Sequence, residues 1–289
     1  LGVGYETLRD HNAGLIYCAV TGYGQDGPRA QRAGHEVNYI GYAGLLSITG
    51  VEDGRPVIPG VQVGDLAGGA MSAVIAILAA LQARAASGTG RFCDVSMMDG
   101  ALSWLSIHAA EFFATGEVPQ RERMALSGGY PCYRIYPASD GYITVGALEP
   151  QFWAALCEAI DRPDLLGDGY ASGARRKTVI TELEELFSTK SRTEWMAHFG
   201  DRDVCVGPVN DFAEAFEDAQ VQHRAMIVDE PPAEGVKWRH VGNPLKLEGA
   251  SNELVRRPPP KLGEHTEDVL SELGVSPERA AELRAAGAV

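Results

Sequence analysis

Three short segments each set a proton-transferring side chain beside glycine or proline: Arg32-Ala-Gly-His-Glu-Val-Asn-Tyr39, Val63-Gly-Asp-Leu-Ala-Gly-Gly69 and Val145-Gly-Ala-Leu-Glu-Pro-Gln-Phe152. Their titratable groups, His35, Asp65 and Glu149, are of the types that most often act as general acids and bases. Histidine titrates closest to neutrality, and a carboxylic acid joins it there when desolvation raises its pKa. Structural roles suit the same residues. His35 fits a hydrogen-bonded loop, Asp65 stands where the cap of the following apolar helix belongs, and Glu149 would complement the positive end of a helix opening at Pro150.

The elements that must position these groups read as an α/β layer. Leu15–Thr21 is a strand running into the glycine-rich loop Gly22–Pro28. From Asp65 to Arg84 the pattern predicts a helix, apolar at Met71, Val74, Ile75, Ile77, Leu78 and Leu81 and therefore mostly buried. Arg91–Met97 is a second strand and Met98 to Ala114 a second helix, an order that favours parallel pairing. Between Gly128 and Asp140 no period holds, and a domain change is placed there. A strand at Gly141–Gly146 and helices at Pro150–Ile160, Lys177–Phe187 and Ser191–Phe199 follow, the last opening on the capping box Ser191-Arg-Thr-Glu194. Val236–Leu247 alternates as strands do, Pro258–Pro260 reads as a stiff linker, and a closing helix runs from Ser276-Pro277 to Gly287. Three segments result: a large α/β domain with a linker helix over 1–127, a small helical-plus-strand domain over 128–228, and a C-terminal segment over 229–289 returning to the large domain.

Composition narrows the function classes. The 289 residues are 45% hydrophobic and 22% charged, ordinary values for a folded chain. A formal charge of −14 opposes attraction to nucleic acid. The longest unbroken apolar run, Ala73–Leu81, falls well short of the roughly 20 residues that span a bilayer, so no membrane association is expected. Cys18, Cys93, Cys132, Cys157 and Cys205 form no CxxC pair, which argues against a zinc site or a disulfide framework and for a reduced, cytoplasmic setting. Neither end carries a basic-then-apolar leader or a peroxisomal tripeptide.

Taken together and in order, the three segments resemble the histidine, aspartate and glutamate motifs of the α-methylacyl-CoA racemases, within the family III CoA-transferase superfamily. Thr21-Gly-Tyr-Gly-Gln-Asp-Gly-Pro28, Asp203-Val-Cys-Val-Gly-Pro-Val209 and Leu262-Gly-Glu-His-Thr-Glu-Asp-Val-Leu270 extend the resemblance over nearly the whole chain. It implies a Rossmann-like large domain plus a smaller α+β domain in an interlocked homodimer, with no metal and no cofactor beyond the coenzyme A of the substrate. It also implies that His35 and Asp65 act as acid and base on opposite faces of the α-carbon of a 2-methylacyl-CoA thioester, with Glu149 of the other chain bonded to His35. Gly34, Glu36, Val37, Asn38, Tyr39 and Gly64 would line the substrate, and Arg29 and Arg32, with Arg84 and Arg91 as further candidates, would meet the diphosphate.

Inverting a stereocentre by 1,1-proton transfer needs one group to take the α-proton and another to return a proton from the opposite side. Asp65 must then be protonated while His35 is neutral, and N–H groups near Gly64 to Ala67 are expected to hold the enolate oxygen. Gly68 and Gly69 either admit the thioester to the backbone or relieve helix crowding. Met97, Met98 and Met124 suit an acyl pocket or, more simply, core. Two features depart from the racemase pattern. The resemblance begins inside the large domain, after a further strand-helix segment that supplies part of the coenzyme A pocket in relatives. Glu36 stands where racemases usually carry Asp. Two other activities compete: a CoA transferase with Asp65 as nucleophile, whose relatives typically lack the histidine and carry a mobile glycine-rich loop at Ser127-Gly-Gly-Tyr-Pro131, and a non-catalytic acyl-CoA-binding protein.

Overall fold

A computed structural model of the chain describes residues 2–229, 238–249 and 260–289. They group into two compact units, Leu1–Val209 and Asn210–Val289. The sequence-based boundary at residue 128 lies inside the first unit. The first unit opens with α1 (Tyr5–His11), β1 (Tyr17–Thr21), α2 (Glu36–Tyr42) and α3 (Leu45–Ile48). A wide-turned π-helix (Gly64–Met71) then runs straight into α4 (Ser72–Ser87) and on to β2 (Phe92–Ser96). β1 and β2 pair in parallel, Tyr17 opposite Phe92 through Thr21 opposite Ser96. The intervening helix is the crossover that parallel pairing demands. The fold is mixed α/β.

The helix from Gly64 to Ser87 departs from expectation in two ways. It is not mostly buried: Val74, Ile75 and Leu78 are 56%, 68% and 59% exposed. Its buried residues are small, Gly64, Gly68 and Gly69 in the π segment and Ala73 and Ala80 in α4. Periodicity registers where large apolar side chains fall, but here the small-residue face is the one that docks. The helix is also continuous over 24 residues and apolar enough to meet the length and composition of a bilayer-crossing segment. The sequence places a helix over Asp65–Arg84, but Ser72 and Gln82 bound its unbroken apolar run, which alone is too short to span.

After β2 the expected single helix is two, α5 (Met97–Ser103) and α6 (Ser106–Thr115). The stretch read as irregular contains β3 (Tyr133–Ala138), which pairs antiparallel with β4 (Gly141–Gly146), and β5 (Val206–Pro208) completes the order β3-β4-β5. Pro137 obscured β3 in the sequence, and an edge strand is where a sheet tolerates proline. Helices α7 (Pro150–Ala159), α8 (Gly173–Phe187) and α9 (Arg192–Phe199) pack with this sheet around Tyr136, Ile143, Trp153, Leu156, Leu183, Phe187 and Trp195. The predicted capping box at α9 is present, Ser191 Oγ accepting from Glu194 N–H at 3.2 Å and Glu194 Oε2 from Ser191 N–H at 2.8 Å.

The second unit holds α10 (Phe212–Glu217), α11 (Ala219–His223), the antiparallel pair β6 (Ile227–Asp229) and β7 (Arg239–Val241), α12 (Thr266–Glu272) and α13 (Pro277–Ala285). Ser276 caps α13 through the Arg279 N–H at 3.3 Å. Pro258 and Pro259 of the expected linker, and Val236 and Lys237 of the alternating run, lie outside the described residues.

Candidate active site

His35 is the residue before α2. Its N–H donates to Asn38 Oδ1 at 3.1 Å, and its carbonyl accepts from Asn38 N–H at 2.8 Å, so the first turn is closed by Asn38 and the imidazole is left exposed. Glu36, the first residue of α2, reaches across to a different element. Its Oε1 accepts from Gly64 N–H at 3.0 Å and its Oε2 from Asp65 N–H at 2.7 Å. These are two of the N–H groups that the start of any helix leaves without internal partners. Asp65 is therefore not the cap of its helix; Glu36 supplies that cap from α2. Gly64 suits the crossing, because a Cβ there would lie 2.9 Å from Glu36 Oε2.

The half-buried Asp65 carboxyl is pushed up from its ordinary value, first by burial, then by the negative charge of Glu36 and a hydrogen bond shared with it. His35 acts on it in the opposite sense. The structure thus brings His35, Glu36 and Asp65 into one electrostatic group. The proposed N–H donors for an enolate oxygen are mostly taken, since Gly64 and Asp65 donate to Glu36, and Leu66 N–H donates to Gln62 O at 2.8 Å. The N–H groups of Glu36 and Val37, next to His35, donate to no acceptor among the described residues.

Tyr39 locks the histidine loop. Its hydroxyl donates to the Gly34 carbonyl, and its ring lies so close to two glycines that a Cβ at Gly22 would sit 2.2 Å from Tyr39 Cε1 and one at Gly34 2.9 Å from the same atom. The ring packs edge-on to Tyr23, centroids 5.0 Å apart. Burial, and then the Tyr23 and Asp65 charges, push the Tyr39 phenol up. Val37 and Asn38 are exposed. Arg29 stacks on Tyr42 at 4.2 Å, its Nε buried without a hydrogen-bond partner, whereas Arg32 and Arg91 lie exposed. Arg84 is engaged elsewhere, Nη1 donating to Gly14 O at 2.9 Å.

Gly68 and Gly69 serve packing. A Cβ on Gly68 would lie 2.7 Å from Met97 O, one on Gly100 of α5 only 2.3 Å from Gly68 O, and one on Gly69 3.1 Å from Met97 Cγ. Met98 packs against the small core of Ile40, Ala43, Leu45 and Ala101, and Met124 is buried.

Glu149 caps α7 ahead of Pro150, as its neighbours suggested, its carbonyl accepting from Phe152 and Trp153 N–H at 3.0 and 3.1 Å. Its charge acts on Tyr170 and Cys205, and no hydrogen bond or ion pair joins it to His35 among the described residues. A cavity of about 560 Å³ lies along β3 and β4, lined in part by Leu126, Gly128, Tyr133, Thr144 and Cys205; neither His35 nor Asp65 lines it. No cluster of three or more His, Cys, Asp or Glu side chains that would hold a metal occurs among the described residues.

One further assembly went unread in the sequence. The loop at Ser127-Gly128-Gly129 is pinned: Arg134 Nη1 and Arg176 Nη2 donate to Gly128 O at 2.7 and 3.2 Å, and Arg176 Nε to Gly129 O at 2.9 Å. Arg176 Nη1 also meets Glu52 Oε2 at 3.0 Å, and Arg123 Nη2 meets Glu52 Oε1 at 2.7 Å. Residues so far apart in the chain leave no local signal of this network.

Comparison with known proteins decides the family. Residues 1–266 match CoA-transferase family III. The chain belongs to CoA-transferase family III. This family III member is 34% identical to human succinyl-CoA:glutarate CoA-transferase, over all of the chain and 67% of the relative. It is 32% identical to mouse alpha-methylacyl-CoA racemase, over 98% of the chain and 74% of the relative. Against the mouse succinyl-CoA:glutarate CoA-transferase the chain spans 63% of the relative's length. The crystal structure of a CAIB/BAIF family protein from Brucella suis superposes with a TM-score of 0.80 at 30% identity, covering 94% of this chain and 71% of that one.

Proposed function

We propose that this family III member epimerises 2-methylacyl-CoA thioesters by proton transfer at the α-carbon, His35 on one face and Asp65 on the other. The observation that carries this reading is the shared placement of an exposed histidine and a carboxyl group pushed toward its protonated form, both tied to Glu36. A racemase needs one group with a proton and one without, and the raised Asp65 carboxyl is the one disposed to hold it. In one direction His35 takes the α-proton and Asp65 delivers its own to the opposite face; in the other the roles reverse. The Glu36 and Val37 N–H groups are the donors left for the enolate oxygen. Coenzyme A arrives with the substrate, so the reaction calls for no separate cofactor.

A CoA transferase is the second reading, favoured by the 34% identity to the human succinyl-CoA:glutarate enzyme. There the Asp65 carboxylate would attack the thioester carbonyl, forming an anhydride and expelling the CoA thiolate. A nucleophilic carboxylate gains from being ionised, and the Glu36 charge works against that.

A second copy would supply Glu149 to His35, since no hydrogen bond or ion pair joins the two among the described residues. Incubating a single epimer in deuterium oxide tests the chemistry: α-deuterium incorporation with epimerisation, reduced at least about a hundredfold in His35→Ala and in Asp65→Ala, is the expected result. CoA transfer to an added carboxylate that survives His35→Ala and fails in Asp65→Ala would replace it with the transferase. Mixing His35→Ala with Glu149→Ala protein should restore part of the activity if two copies share each site.

A further inference from the structure

Building on the proton-transfer reading above, we infer that Glu36 is a positioning residue for that reaction: its carboxylate fixes the backbone of Asp65 and faces the Asp65 carboxyl, so that the two acids share one proton. The geometry is two-pronged. One carboxylate spans two successive N–H groups, Gly64 at 3.0 Å and Asp65 at 2.7 Å, from the first residue of α2. No other acceptor serves those two donors among the described residues, so the place of Asp65 relative to His35 depends on a side chain adjacent to His35 in sequence.

The same arrangement decides which acid keeps the proton. Both Glu36 carboxylate oxygens are engaged by N–H groups at a helix start, which fixes that charge beside Asp65. A second carboxylate in contact with that anion ionises at a cost, so the proton resides on Asp65. His35 is the opposing charge, and the Tyr39 phenol also faces Asp65. The other titratable groups on the elements packed against the π segment are Tyr42 on α2, Tyr17 and Cys18 on β1, Arg84 on α4, Cys93 and Asp94 on β2 and Asp99 on α5, and none of these is among the charges acting on Asp65. Arg84 is held by Gly14 O, and Asp94 accepts from Gln25 N–H.

The test is a carboxyl ¹³C NMR titration of Asp65 in the whole chain, which is independent of turnover. In the native protein the Asp65 step should lie above its ordinary value, coupled to the neighbouring Glu36 charge. In Glu36→Gln the Asp65 step should move to lower pH, while Glu36→Asp, which keeps the charge, should retain most of the coupling. A native Asp65 that titrates alone overturns the inference. So does a Glu36→Gln profile that leaves Asp65 unmoved, which would make Glu36 a backbone cap only, or equal displacement in both variants. In the exchange assay, Glu36→Gln should lose about tenfold in kcat/KM, less than removing the acid itself, and equally in both directions, since the equilibrium between the epimers is fixed. If native protein shows the coupled titration without any exchange, the racemase reading falls and the Glu36–Asp65 pair stands.

Discussion

The β3-β4-β5 core and the His35–Glu36–Asp65 group lie in the same unit and are held by different forces. Around the sheet, Trp195 is 1% exposed and stacks on Phe199 with centroids 5.5 Å apart, and both buried indoles find carbonyl partners, Trp195 on Phe187 and Trp153 on Leu165. The acid group rests on a much smaller apolar cluster, Ile40, Ala43, Leu45 and Ala101. Glycine-backbone crossings and carboxylate-to-N–H bonds complete its support. Burial lends stability roughly in proportion to apolar area, while reacting groups must stay open to substrate and precisely placed. Separating the two lets the sheet core carry stability and leaves the site free to hold an exposed histidine and two neighbouring acids.

Four substitutions probe that division. Trp195→Ala should cost about 4 kcal/mol in chemical denaturation while the exchange rate per folded molecule is unchanged; a lower rate without lost stability would break the division. Arg176→Met, which strips one half of the partly buried pair with Glu52 and its bonds to the Gly128 and Gly129 carbonyls, should cost about 2.5 kcal/mol. Burial alone would raise the Glu52 carboxyl, but hydrogen bonds from Arg176 and Arg123 outweigh it and hold the group below its ordinary 4.5. Its folded pKa is the lower one, so the contribution is complete above the unfolded value and lost as pH falls through the folded value. Stability measured from neutral into acid pH should therefore fall less steeply in Arg176→Met than in the native chain. Gly100→Ala, which drives a Cβ to 2.3 Å from Gly68 O, should cost about 2 kcal/mol and also slow exchange, because the π segment carrying Asp65 must shift. Tyr39→Phe, deprived of its bond to the Gly34 carbonyl, should lose about 1 kcal/mol in the same denaturation assay.

What could be read from sequence was local. His35, Asp65 and Glu149 stand out because each lies in a short run of distinctive neighbours, and β1, β2 and the capped α9 follow from composition and spacing within a few residues. The role of Glu36 was not legible, since its partners are 28 and 29 residues away and its own setting is that of any first-turn acid. Strand β3 was hidden because Pro137 breaks the period that pairing with β4 restores. The burial of α4 was overestimated because a pattern of apolar residues records which face is greasy and not what lies against it. The purpose of Gly68 depended on Gly100, 32 positions later, where two backbones meet.

The wide turn at Gly64–Met71 also bears on how this chain can change in length. A π segment accommodates one more residue than the α-helix it interrupts. Deleting a single residue between Leu66 and Ala70 would let the helix relax to regular α geometry and would leave Asp65 close to its present face relative to α4, because the extra residue of the wide turn is the one removed. The wide turn therefore absorbs a one-residue change in length that the regular turns of α4 would pass on as a rotation of about 100°, and homologous chains one residue shorter there should keep their acid on the same face.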